Sequence, residues 1–81
     1  MPDSTIFDRI NSLANEEAGL WERAADGGGL ETADQERLEV IKVELDQCSD
    51  LLHQREARRA AGLNPDEAHI RPPEVVEGYQ Q

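Results

Sequence analysis

The stretch "ADGGGLETADQ", residues 25–35, decides how this chain folds. Gly27, Gly28 and Gly29 are very poor helix residues, and they supply the left-handed backbone of a helix end and a tight connection. Directly after them, Thr32 and Gln35 have the spacing of a capping box, in which two side chains satisfy free backbone N–H groups reciprocally. Asp34 and Glu36 add negative charge at the positive end of the helix dipole. One helix therefore stops and another starts across a Gly-rich loop at 26–31. So short a loop makes the two helices antiparallel neighbours. The glycines do not form a phosphate loop, because no Lys followed by Ser or Thr stands at the next helix start.

Upstream, the pattern predicts a first helix at about residues 4–25, with Asp3 or Ser4 as the capping side chain. Ile6, Ile10, Leu13, Leu20 and Ala24 recur at helical spacing and mark its buried face. Phe7, Ala14 and Trp21, seven apart, widen that stripe on one side. Glu17 falls on the stripe and reads as a solvated edge residue. Downstream, a second helix is predicted at about 33–61. Its stripe runs Leu38, Ile41, Leu45, Cys48, Leu52, broadened by Val40, Val43 and Leu51. Arg55, Arg58 and Arg59 crowd its C-terminal end, where cations suit the dipole. Gly62 with Leu63 reads as the helix stop and its apolar contact. Helices of about 22 and 30 residues span roughly 33 and 45 Å. The second thus overhangs the first by about two turns, and the overhang is the Arg-rich segment.

The remainder, "GLNPDEAHIRPPEVVEGYQQ", begins with a compact helix start: Asn64 as cap, Pro65 as first helical residue, then Glu67. A short helical turn is expected at about 65–70. Pro72 and Pro73 imply extended backbone, giving an extended tail at 71–81. Val75, Val76 and Tyr79 have no reason to be apolar in a loose tail, so the tail is expected to dock on the overhang or on a second chain. The fold class is all-α: a single domain over residues 1–81, built as an antiparallel two-helix hairpin. Phe7, Trp21, Val40 and Val43 would stay exposed in a lone hairpin. A homodimer forming a four-helix bundle is the physical remedy.

Composition narrows the function classes. The chain has 81 residues, with 18 acidic and 8 basic side chains and a net charge of −10. That disfavours direct nucleic-acid or anionic-membrane binding, which needs clustered Lys and Arg, and favours solubility or a basic partner. A single cysteine, Cys48, gives no internal disulfide. No run approaches the roughly 20 apolar residues of a membrane span, and "MPDSTIFDRI" lacks signal-peptide character. A cytoplasmic protein is expected.

No catalytic, metal or cofactor residues are assigned. Asp50 and His53 have the spacing of a metal-binding Glu-x-x-His pair, but with Glu17 as the only inward carboxylate they read as a solvated face. Cys48 reads as a small buried hydrophobe, and points about 140° away from His53. His69 has no partner in its own turn. Arg55, Arg58, Arg59 and Arg71 form the only local basic patch. They read either as charge balance with Glu56, Asp66 or Glu67, or, with Val75, Val76 and Tyr79, as a partner-binding surface.

The segment "LDQCSDLLHQREARRAAGLNPDEAHIRPPEVVEGYQQ", from residue 45 onward, resembles a family of short actinobacterial proteins catalogued as domain of unknown function 2630. The matching features are "LDQC-DLL-QR-ARR-AG", "NPDEA", "RP" and "VVE-Y". The resemblance implies a small stand-alone helical protein and brings no catalytic residues with it. The expected function is a non-enzymatic interaction module or adaptor that binds an unknown protein through the Arg-rich end and tail. A ligand- or metal-binding bundle with enzymatic activity, needing Glu17, Asp50 and His53, and an acidic nucleic-acid mimic are the alternatives.

Overall fold

The computed structural model describes residues 2–78 and contains four helical elements. Helix α1 spans Asp3–Gly27 and α2 spans Thr32–Ala60. A single 3-10 turn follows at Pro65–Glu67, and a short helix α3 at Pro73–Gly78. The molecule is flat, about 51 × 27 × 15 Å.

Glycines end both long helices, as their freedom at positive φ allows. Gly28 takes φ 87° after α1, and Gly29 N–H donates back to the Ala24 carbonyl at 2.9 Å. Gly62 takes φ 75° after α2, and Leu63 N–H donates to the Arg58 carbonyl at 2.8 Å. Leu63 itself stays exposed, so this cap lacks the apolar contact expected of it.

The core is thin. Ile6, Cys48 and Leu51 form one cluster, with Ile10, Leu52 and Ala68 against it. Leu13, Leu20 and Ile41 form the other, with Leu38 and Leu45 against it. These are the stripes that the helical period marks, and Cys48 is the small buried hydrophobe expected. On one flank of the hairpin, Arg9 pairs with Glu44, and Arg37 grips Glu16 with two guanidinium nitrogens. A bidentate pair of this kind fixes orientation as well as attraction.

Four expectations need correction. The helix starts are not capped by side chains: Pro2 and Glu31 hold the cap positions, and neither makes a capping bond. Thr32 is instead the first residue of α2, and the Asp3 carboxylate turns to Arg55 and Arg59. The overhang is shorter than the two turns expected: α2 has 29 residues against 25 in α1 and still runs past it by about a turn, and Arg55 and Arg59 reach back from that end to Asp3. Finally, the tail is not extended at 73–78. Pro73 lacks an N–H where a first helical residue needs none, and the Pro72 carbonyl accepts from Val75 and Val76 N–H at 3.0 and 3.2 Å. The helical turn before it is shorter than expected, ending at Glu67, with Asn64 Oδ1 accepting from Asp66 N–H at 3.0 Å as its cap.

Candidate functional site

Arg55 is the hub of the C-terminal end. It is 5% exposed, the one charged residue buried among the described residues. Its Nε donates to Asp3 Oδ1, while Nη1 donates to Asp66 Oδ1 at 2.9 Å and to the Pro65 carbonyl at 3.1 Å. One side chain thus ties α1, α2 and the 3-10 turn together. Arg59 adds a second guanidinium on Asp3, with Nη2 donating to Oδ2 at 2.7 Å, and Arg58 reaches Glu67 at 3.3 Å. Hydrogen bonds from Arg55 and then Arg59 hold the Asp3 carboxyl below its ordinary value of 3.8. The same bonds, from Asp3 and then Asp66, raise the Arg55 guanidinium.

A polar stripe on α2 holds the returning chain. Gln47, Asp50 and Gln54 lie at helical spacing on one side. Gln47 donates to the Arg71 carbonyl at 3.0 Å, and Gln54 donates to the His69 carbonyl at 2.9 Å and to Asp50 at 2.8 Å. Arg71 closes a fork on Asp50, with Nε and Nη2 each donating at 2.9 Å. Asp50 is therefore not on a solvated face: its side chain is 10% exposed and committed to a cation. His53 is exposed beside it. Among the described residues no three His, Cys, Asp or Glu side chains converge as metal ligands.

Beyond the stripe, α3 docks on α2 in the same chain. Val76 is buried, while Val75 remains exposed. Glu77 is half-buried, and its Oε1 is shut from solvent without a hydrogen-bond partner. A hydrogen bond with Asp46, then burial, then the Asp46 charge push the Glu77 carboxyl above its ordinary value of 4.5; Glu39 adds to the shift and Lys42 opposes it.

Two shallow grooves flank this segment. One of about 340 Å³ lies between the helices, lined by Ile6, Arg9, Glu44, Cys48, Leu51 and Ile70. The other, about 360 Å³, is lined by Val40, Val43, Gln47 and Pro73. Cys48 stands at the edge of the first, and burial raises its thiol above the ordinary 9.0, which keeps it protonated and unreactive at neutral pH.

The hairpin has a second side, away from these grooves. At 100° per residue, the pairs Arg9–Glu44 and Glu16–Arg37 mark one side of the seam between the helices. Ile10, Leu38, Leu45 and Leu52 fall on the other, and all four are half-buried. Phe7 and Trp21 border that side from α1 and are 52% and 54% exposed. Two of the three aromatic rings in the chain thus face solvent on it. The exposure of Phe7, Trp21 and Val40 is what the sequence pattern anticipates; Val43 is partly covered.

Of the predicted contact residues, Arg55 and Val76 are buried and hold the chain together. Arg58, Arg59 and Arg71 pair with Glu67, Asp3 and Asp50. Six of the eight basic residues are in ion pairs between elements, so the Arg-rich end is not an open cationic patch. Tyr79 lies outside the described residues. Sequence reading missed Asp3 and the Gln47–Asp50–Gln54 stripe. The stripe was visible as polar residues at helical spacing opposite an Arg in an otherwise acidic tail.

The profile of a family described as protein of unknown function (DUF2630) matches residues 2–81. The chain belongs to the DUF2630 family. Three mycobacterial proteins are similar to it: the uncharacterized proteins Mb0922c of Mycobacterium bovis, and MT0921.1 and Rv0898c of Mycobacterium tuberculosis. Each is 46% identical over 77 residues, covering 95% of this chain and 88% of the relative. No solved structure matches the chain. This DUF2630 chain also has, among its described residues, no helix long and apolar enough to cross a membrane.

Proposed function

We propose that the chain is a non-enzymatic, cytoplasmic interaction module. Its own C-terminal segment closes one side of the hairpin, and a protein partner covers the other. The exposed Phe7 and Trp21 beside half-buried Ile10, Leu38, Leu45 and Leu52 carry this reading, because rings facing water on an apolar side are what an interaction site exposes. The candidate chemistry points the same way: Cys48 is shielded and Asp50 is held by Arg71.

A second copy fits by shape, since two hairpins meeting through this side complete a four-helix bundle. Charge opposes it, because Glu17, Glu22 and Glu56 would approach their own kind in chains of net charge −10. Arg59 at the C-terminal end of α2, paired with Asp3, and Val75 on α3 stay exposed at separate places.

Photo-crosslinking in cells tests the module. A photoreactive side chain in place of Phe7 should give a discrete protein adduct, and one in place of Arg23, on the opposite side of α1, should not. Equal adducts from both positions, or none from Phe7, would sink the reading.

A further inference from the structure

We infer that the open side of the hairpin takes one kind of occupant: an amphipathic helix with apolar anchors and Lys or Arg on its flanks. This rests on the interaction-module reading and names the partner's chemistry.

The floor is apolar and ready-made. Ile10 from α1 and Leu38, Leu45 and Leu52 from α2 are packed into the two core clusters on one side and half-open on the other. The α1 wall is free of charge. Between Phe7 and Ala25, the residues within an arc of about 80° are Phe7, Asn11, Ala14, Ala18, Trp21 and Ala25. In a chain that is 32% charged, so long an uncharged arc outside the core marks a contact face. From Phe7 to Trp21 it runs about 21 Å, four turns of a bound helix, which suits anchors at i, i+3 or i+4, and i+7.

The rim gives the sign. Glu22 borders the α1 wall, Glu17 lies at its inner edge, and Glu56 stands on the α2 wall; among the described residues the cations on this side are Lys42 and Arg59, the latter paired with Asp3. Arg9 and Arg37 lie on the far side, tied to Glu44 and Glu16. An apolar face with an acidic rim attracts a basic helix and repels an acidic one, a second copy included.

The experiment uses the intact protein and three synthetic 18-residue peptides. One has Leu anchors with Lys elsewhere, one Leu anchors with Glu, and one Ser in place of Leu with Lys kept. Trp21, the sole tryptophan, reports burial of the face by its emission. The Leu/Lys peptide should bind with a blue shift, and its affinity should fall about tenfold as salt rises from 0.05 to 0.3 M. The other two should leave the emission unchanged. Changing Glu22 and Glu56 together to Lys should weaken binding by about tenfold with the circular dichroism melt unchanged, since both side chains are exposed.

Equal binding of the Leu/Lys and Leu/Glu peptides would overturn the proposal, as would a free protein that light scattering shows to be a dimer with Trp21 already buried. Failure here, with a single-protein adduct still formed from the Phe7 position in cells, would leave the interaction module standing and remove only the basic helix.

Discussion

At its C-terminal end, α2 gathers opposite charges; in its middle it presses two carboxyls together. Around Arg55, three elements meet through a guanidinium whose donors find the Asp3 and Asp66 carboxylates and a backbone carbonyl. Around Val76, a six-residue helix rests on α2 by one buried valine and the Asp46–Glu77 pair. The first grip joins guanidinium donors to carboxylate acceptors. The second sets two carboxyls against each other, and their contact raises that of Glu77 above its ordinary value. The contrast sets a grip between opposite charges against one between like groups.

The largest effect should come from breaking the first grip. Replacing Arg55 with Ala leaves Asp3 and Asp66 facing each other without their common donor, and frees the start of α1 from the end of α2. Removing one partner of a buried, hydrogen-bonded ion pair is among the few single changes that destabilise strongly. Thermal melting should drop by roughly 10 °C or more. A shift within experimental scatter would mean that the Arg55 cluster only decorates a hairpin held by its apolar seam.

Val76→Ala should come next, and should act locally. It removes the one buried side chain of α3 and should cost about 1–3 kcal/mol of docking. Amide exchange over 73–78 should speed up while α1 and the body of α2 keep their protection. Loss of protection throughout would show that α3 and the hairpin fold as one unit, and would erase the contrast between the grips.

Between the two grips, Asp50→Asn tests how the return segment is held. The fork to Arg71 becomes a neutral contact, at a cost of about 1–2 kcal/mol. Exchange should rise at 69–72 but not at the Arg55 cluster, because Gln54 still reaches the His69 carbonyl. An unchanged exchange pattern would mean that Gln47 and Gln54 suffice.

These contrasts also show what a sequence displays. The α1–α2 seam was legible because it repeats: Ile6, Leu13 and Leu20 on one helix and Ile41 and Cys48 on the other recur at the helical period. The glycine stops were legible because few other residues take positive φ. Contacts that join distant positions leave no period. Asp3 sits 52 residues from Arg55, and Asp50 sits 21 from Arg71. Read locally, Asp3 was a cap and Asp50 a solvated residue, but each found a stronger cation elsewhere. The tail misled for a different reason. A proline pair favours extended backbone before it and helix after it, and "PPEVVEG" carries an acidic first turn and a closing glycine that fit the second reading.

The smallest effect, and the sharpest comparison, is the response of the two grips to acid. Asp3 is held below its ordinary 3.8 by Arg55 and Arg59. Its contribution is therefore fully present above that value, and is lost as pH falls through the lowered value in the folded protein. Glu77 is held above its ordinary 4.5, chiefly by its hydrogen bond with Asp46. Its contribution to docking is present below 4.5, and is lost as pH rises through the raised value. Mild acidification from neutral pH should thus slow exchange in α3, after correction for the intrinsic rate, while the Arg55 end stays unchanged; only below about pH 4 should that end loosen. Glu77→Gln keeps a hydrogen-bonding group without the charge, so α3 should stay docked at neutral pH and its exchange should become insensitive to mild acid. If the variant and the native chain show the same pH profile over 73–78, the carboxyl pair does not set the docking of α3, and Val76 alone accounts for it.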